Sequence, residues 1–276
     1  MKVKIKILVE NTASSPRVKG EYGLAVLVNV DDYSVLLDTG CSNALLANAP
    51  AMGVDLEQIE DVVISHGHFD HTGGMLDLIN KKGVKRVYAH PDAFLRRFLL
   101  LSNGRTKDIG SLFTPQQLAD NGIDLILTPE FTEIFPQVFV TGQIPRLTDY
   151  EGTGINSKIE AQGELIDDNI NDDMALVIKH PEGLIIISGC AHSGMINTIN
   201  YARNQTGCDN VLAYIGGTHL MSAEKSRIIK TIDTLKTYNI KNIITGHCTG
   251  FNACAMMYSE LGPAVIKGDA GMSIEF

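Results

Sequence analysis

Tryptophan is absent from this 276-residue chain, and aromatic residues amount to only 6%. A chain of this length can bury a sizeable core, but that core must be assembled from Ile, Leu, Val, Ala and Met. Cysteine is scarce as well: Cys41, Cys190, Cys208, Cys248 and Cys254, an odd number with no C-x-x-C spacing. That usage reads as free thiols in a reducing compartment rather than a disulfide framework. The chain opens directly on an alternating strand instead of a secretory leader, so a cytoplasmic protein is expected. No apolar run approaches the roughly 18 residues of a membrane span. Positive charge is in deficit, 23 Lys and Arg against 32 Asp and Glu, for a net charge of −9. Nucleic acid and anionic membranes are therefore poor partners, because phosphate contacts need clustered cations. Net charge describes the whole surface and leaves a local basic pocket open. With no fixed-period repeat, low-complexity run or linker, a single domain over residues 1–276 is expected.

What is present is regular alternation of strands and helices. Lys2 to Val9 alternates charged and apolar residues, as a half-buried strand does. Leu24 to Val30, Tyr33 to Leu37, Asp61 to Ile64, Lys85 to Ala89, Asp124 to Leu127 and Gln137 to Thr141 read as further strands. A helix capped by Ser42 follows Asp38-Thr39-Gly40, another runs to about Lys82 with Gly83 as its C-cap, and Pro91 opens one reaching about Leu101. Residues 102 to 122 give no clear pattern, and 146 to 173 reads as a long polar loop of the kind that often borders a site. Met174 to Lys179 and Leu184 to Ile187 form a predicted hairpin. Strands at Asn210 to Ile215 and Asn242 to Thr245 alternate with helices at Met195 to Asn204, Ala223 to Tyr238 and Asn252 to Leu261. Hairpins combined with βα units predict an α/β protein with two sheets and helices outside them.

Histidine is concentrated in a telling way. Four apolar strands run into a small residue, a Gly and then His: Ile64-Ser65-His66-Gly67-His68, Ser188-Gly189-Cys190-Ala191-His192, Gly216-Gly217-Thr218-His219 and Thr245-Gly246-His247. With His71, six of the eight histidines fall in or just after these segments. Sites in α/β proteins gather beyond the carboxyl ends of strands. On an extended segment His66 and His68 point to one side and can share an ion, while Asp70 and His71 on the following turn can serve a second. A thiolate from Cys190 favours zinc, although a free Cys is as often simply buried. His180, ahead of a turn at Pro181-Glu182-Gly183, reads as an ordinary polar residue. His90 is either a turn residue or a pocket residue.

The segment Ser65-His66-Gly67-His68-Phe69-Asp70-His71-Thr72-Gly73-Gly74, with Asp38-Thr39-Gly40 before it and Cys190 and His247 after it, resembles the metallo-β-lactamase superfamily in the expected order. That resemblance implies a four-layer αβ/βα sandwich and a dinuclear site. Asp172-Asp173-Met174-Ala175-Leu176, Gly189-Cys190-Ala191-His192-Ser193-Gly194, Gly216-Gly217-Thr218-His219-Leu220 and Gly246-His247-Cys248-Thr249-Gly250 look like the branch related to archaeal dihydropterin–ribofuranosylaminobenzene phosphate synthase, many of whose members are known only as predicted metal-dependent hydrolases. The family's separate His before the fourth-motif strand is missing here, where Asn169-Ile170-Asn171-Asp172-Asp173 stands, and Cys190 stands where the bridging Asp is usual. Either Cys190 or His192 is left to make up the ligand set.

The resemblance implies His66, His68, Asp70, His71, Cys190, His192 and His247 as ligands of two divalent ions, zinc first, with iron, manganese and nickel as alternatives. Asp70 is expected to orient the attacking water as well as hold metal, and His219 to polarise the substrate or protonate a leaving group. Arg146 and Lys158 are candidates to pair with a phosphate-bearing, pterin-related substrate, with His90 beside the substrate. A small-molecule substrate is the expected partner, and a homo-oligomer is left open. The rival readings are a flavodiiron-like redox enzyme, disfavoured because that group is acidic where His68 stands, and a non-enzymatic metal-binding or interaction module.

Overall fold

The computed structural model describes residues 1–161 and 163–276. The chain forms two compact units. The larger comprises residues 2–128, 155–172 and 269–276, and the smaller comprises Met1 and residues 129–154 and 173–268. Among the described residues no helix is long and apolar enough to cross a membrane.

The larger unit is built on a seven-stranded sheet in the order Ser273–Glu275, Val3–Val9, Ala25–Val30, Tyr33–Leu37, Asp61–Val63, Arg86–Ala89, Asp124–Leu127. Val3–Val9 shows why it is a strand: Val3, Ile5 and Ile7 are buried while Lys4 and Lys6 are partly exposed, the period of two that a pleated ribbon imposes. The last four strands are parallel, with Leu37 level with Val63 and Val63 level with Tyr88. Their carboxyl ends therefore emerge along one edge, carrying Asp38, Ser65-His66 and His90. The core against this sheet contains Leu8, Leu36, Leu45, Val62, Met75, Val87 and Phe113.

The smaller unit repeats that logic. Its sheet runs Val265–Lys267, Asn242–Thr245, Val211–Gly216, Gly183–Ser188, Ala175–His180, Val138–Val140, Thr132–Phe135. The first four strands are parallel, with Ser188, Gly216 and Thr245 level across the sheet. Cys190, His219 and His247 thus leave one edge from three neighbouring strands. The helix Lys225–Tyr238 buries Ile228, Thr231, Ile232 and Leu235, the i, i+3, i+4, i+7 stripe of an amphipathic helix. Met195–Thr206 buries Met195, Ile196, Ile199 and Ala202 and ends at Gly207 with φ +63°, a left-handed C-cap.

Several sequence expectations are corrected. Pro91 opens only a short 3-10 turn, Pro91–Phe94, and the chain then enters a strand, Arg97–Leu100. That strand pairs with Ser157–Ala161 and Thr106–Asp108, and Ser157–Ala161 pairs in turn with Glu164–Asp167. The stretch 146 to 173 is thus not a plain loop, and its residue 162 lies outside the described residues. The first helix starts after Asn43 rather than Ser42 and lacks a side-chain cap, because Ser42 Oγ is bonded to Glu21 instead. The helix after Gly74 is short, Met75–Ile79, and the left-handed residue behind it is Lys82, φ +60°, not Gly83.

Candidate metal centre

In the larger unit, a single carboxylate organises the histidine loop. Asp38, fully buried at the end of Tyr33–Leu37 with φ +60°, accepts the Ser65 N–H at 2.7 Å and the Ser65 hydroxyl at 2.7 Å. Its Oδ2 also lies 2.7 Å from His71 Nδ1. Ser65 Oγ in turn sits 2.9 Å from His66 Nδ1. With Nδ1 of both rings engaged, Nε2 is the atom each turns inward: His66 Nε2 meets His68 Nδ1 at 2.8 Å, and His71 Nε2 lies 3.8 Å from Asp70 Oδ2. The His66 and His71 rings stand 4.2 Å apart. A ligating imidazole fixed through its other nitrogen by a carboxylate or hydroxyl is the usual way a protein orients metal ligands.

Gly67 is dictated by space. A Cβ there would lie 1.9 Å from the Ala93 carbonyl oxygen, so no side chain fits between the two histidines. Its N–H donates to Asp172 Oδ2 at 2.7 Å. Asp172 is held by Arg97, whose Nη1 lies 2.8 Å from the same oxygen and whose Nη2 bonds Oδ1, while Arg97 Nε lies 2.7 Å from Asp168 Oδ2. Arg97 and Asp172 are fully buried. Burial works against both charges, but each holds the other ionised: Arg97 is raised above its usual range and Asp172 lowered below it.

His68 shows the electrical consequence. Burial, then the charge of Arg97, pushes its imidazole down to about 3, against the pull of Asp70 and Asp172. A neutral ring at neutral pH is the form that ligates metal. Because the unfolded chain takes up this proton near pH 6.5 and the folded chain refuses it, stability from neutral His68 is complete above pH 6.5 and is lost as pH falls towards 3. In chelator-treated protein, Tm is expected to fall less between pH 6.5 and 4 for His68→Gln than for wild type. Parallel Tm profiles would refute this role for His68.

The smaller unit contributes its own cluster. Ligand atoms of Cys190, His192 and His219 lie within 4.8 Å of one another, as do those of Cys190, His247 and Cys248. His192 Nδ1 is bonded to the Thr153 carbonyl at 2.7 Å, which fixes the tautomer with Nε2 as the acceptor nitrogen. The His192 and His219 rings stand 4.2 Å apart. Burial opposes ionisation of the Cys248 thiol, but hydrogen bonding with Cys190 and the imidazoles of His247 and His219 bring it well below its usual range, and the His219 N–H lies 3.3 Å from Sγ. Asp173 is pushed up to about 6 by burial, opposed chiefly by the backbone N–H groups of Ser193 and His192. Ala191, His219 and His247 all have positive φ, 54°, 48° and 51°. Such backbone costs on the order of 1–3 kcal/mol per residue and collects where function requires it.

The sequence-predicted residues fall into place unevenly. His66, His68, Asp70 and His71 come together in one unit, and Cys190, His192, His219 and His247 in the other. His90 is buried and its Nδ1 accepts the Asp92 N–H at 3.1 Å. Arg146 acts on Asp173 through its charge, and Lys158 is paired with Asp167. Asp38, Ser65 and Asp172 stand in segments that carry the resemblance, but their supporting roles are not readable from those segments, and Arg97 and Thr153 carry no sequence signal.

The chain has relatives whose full length it matches. It is 30% identical to a Methanocaldococcus jannaschii protein, 7,8-dihydropterin-6-methyl-4-(beta-D-ribofuranosyl)-aminobenzene-5'-phosphate synthase, over 99% of this chain and 97% of that one. It is 32% identical to an uncharacterized protein of the same organism, over 90% and 91%. The crystal structure of Tm1679, a metal-dependent hydrolase of the beta-lactamase superfamily, superimposes with a TM-score of 0.85 at 26% identity, covering 99% of each chain. Residues 18–145, which include Asp38 and the whole histidine loop, match the metallo-beta-lactamase superfamily. The histidine loop, the His-bearing strand ends within each unit and the full-length likeness agree, and the chain belongs to the metallo-beta-lactamase superfamily as one of its enzymes.

Proposed function

We propose that this enzyme is a metal-dependent hydrolase or transferase that acts on a small, phosphate-bearing, pterin-related molecule with two divalent ions, zinc foremost. The proposed ligands are His66, His68, Asp70 and His71 from the larger unit and Cys190, His192 and His247 from the smaller. The observation that carries this reading is the orientation of the rings: Ser65, Asp38 and Thr153 engage Nδ1 of His66, His71 and His192, leaving Nε2 to face an ion. Imidazole, thiolate and carboxylate together suit a borderline-soft ion such as zinc. When bound, the ions supply positive charge and Lewis acidity to an oxygen that gains negative charge in the reaction.

The chain's own groups do the rest. Asp70 orients the attacking nucleophile, which is water in a hydrolase and the second substrate in a transferase that expels pyrophosphate. His219 holds the proton for the leaving oxygen, and its Nδ1 is buried without a hydrogen-bond partner among the described residues. Arg146 and His90 are the proposed substrate-side residues. The pterin connection rests on the likeness to the M. jannaschii synthase. The test is a screen of phosphodiester and pyrophosphate substrates, pterin pyrophosphates included, with His68→Ala alongside. Turnover is expected to fall at least about a hundredfold in the variant; turnover indifferent to His68 would defeat the reading.

A further inference from the structure

The smaller unit contains a cavity of about 400 Å³ at the start of the helix Lys225–Tyr238, lined by Tyr150, Gly154, Ser222, Ser226, Arg227 and Lys230. We infer that this cavity binds the phosphomonoester group of the substrate, with Arg227 as its principal ligand. The inference rests on the proposed chemistry at a phosphate-bearing molecule and names where such a group is held.

Arg227 is the reason. Its Nε and Nη2 atoms are buried with no hydrogen-bond partner among the described residues, and burial lowers its pKa against the pull of Glu151. The side chain is only partly buried, and guanidinium N–H groups without protein acceptors favour an anionic ligand that supplies them. The nearby carboxylate is already committed: Glu151 accepts the N–H groups of Ile196 and Asn197 at 2.9 Å each and the Thr148 hydroxyl at 3.1 Å. That arrangement pins the segment carrying Tyr150 and Gly154 to the helix Met195–Thr206. The Tyr150 hydroxyl, 3.1 Å from Thr234 Oγ1, ties the same segment to the helix behind the cavity.

Charge and geometry then select an oxyanion. Lys230 lies over the Tyr150 ring, 5.3 Å from its centroid, and its pair with Asp149 is long, 4.0 Å, and solvent-exposed, so it competes weakly for that ammonium. Ser222 and Ser226 add hydroxyl donors. The helix begins at Lys225, after Glu224, without a side-chain cap, and its positive dipole end adds modestly to the cationic character of this wall. Glu224 is the acidic residue at the wall and is exposed, where water screens it. A planar guanidinium beside an ammonium matches the multiple oxygens of a phosphomonoester better than a single carboxylate.

The cavity also adjoins the chemistry. Gly154, φ +80°, lines it and packs on the His219 ring, where a Cβ would lie 2.1 Å from Cδ2. A phosphate held by Arg227 therefore sits beside the imidazole proposed as proton donor.

The test is calorimetric titration of inorganic phosphate into the protein as purified and into Arg227→Gln, Ser226→Glu and His68→Ala, with metal content and far-UV circular dichroism checked for each. Arg227→Gln and Ser226→Glu are expected to weaken one phosphate site at least about tenfold with wild-type metal content, while His68→Ala loses metal and keeps that site. Ser226 is exposed, so its variant carries the test even if Arg227→Gln misfolds. Wild-type phosphate affinity in both variants, or no phosphate binding in metal-free His68→Ala, would overturn the assignment. Wild-type protein lacking metal but binding phosphate through Arg227 would instead refute the two-ion reading and leave the cavity standing.

Discussion

Replacing Asp172 with alanine is expected to destabilise the protein by about 3–5 kcal/mol, the usual penalty for stranding one partner of a buried ion pair. In a protein of this size that is a fall in Tm on the order of 10 °C. The reason is local and complete: Arg97 is fully buried, and Asp172 supplies two of the three carboxylate contacts that hold its guanidinium. Asp168 alone, on Nε, leaves the other nitrogens without an anionic partner. The same substitution strips the acceptor from the Gly67 N–H and so loosens the backbone that spaces His66 from His68. Arg97→Met combined with Asp168→Asn and Asp172→Leu removes all three charges and is expected to recover part of the loss in Tm while leaving the histidine loop less well held. A single Asp172→Ala variant within about 1 kcal/mol of wild type in denaturant titration would show that the pair is not the support described here.

Asp38→Ala is expected to lower metal affinity by about 10–100-fold, the effect of removing a residue that orients ligands. Asp38 touches no proposed metal position directly, yet it fixes His71 through Nδ1 and His66 through Ser65. Removing it also strands the buried Ser65 N–H, at about 1–3 kcal/mol for such a group. Ser65→Ala deletes only the link to His66, so its effect should be smaller, and Asp38→Asn should fall between. Competition with a chromophoric chelator measures the order. Equal affinity for wild type and Asp38→Ala would remove Asp38 from the account.

Much of this was legible in the sequence, and the failures are informative. The histidine loop was readable because apolar strands running into Ser65-His66-Gly67-His68 and Thr245-Gly246-His247 break the usual rule that strands end in turn residues. The parallel strands then place those endings along one edge of each sheet. The run Ala93-Phe94-Leu95-Arg96-Arg97-Phe98-Leu99-Leu100 reads equally well as a helix. What decides it is non-local: Arg97 is drawn inward by Asp168 and Asp172, some seventy residues away, and Phe98 pairs with Lys158. Tertiary pairing overrides propensity in such cases. Glu164–Asp167 escaped notice because it is exposed along its whole length and has no buried face to impose a pattern. Arg227 gives no sequence signal at all; on an amphipathic helix it looks like any solvated cation, and only the cavity it lines and the lack of protein acceptors for its Nε and Nη2 among the described residues distinguish it.

We propose two donor sets, each within its own unit, for metal-dependent catalysis. The most direct test is elemental analysis of the protein purified without added chelator or metal, beside His68→Ala. The account predicts about two divalent ions per chain, mostly zinc, in wild type and a clear loss in the variant. Less than one ion per chain that added metal cannot restore, or a variant with wild-type metal content, would contradict it.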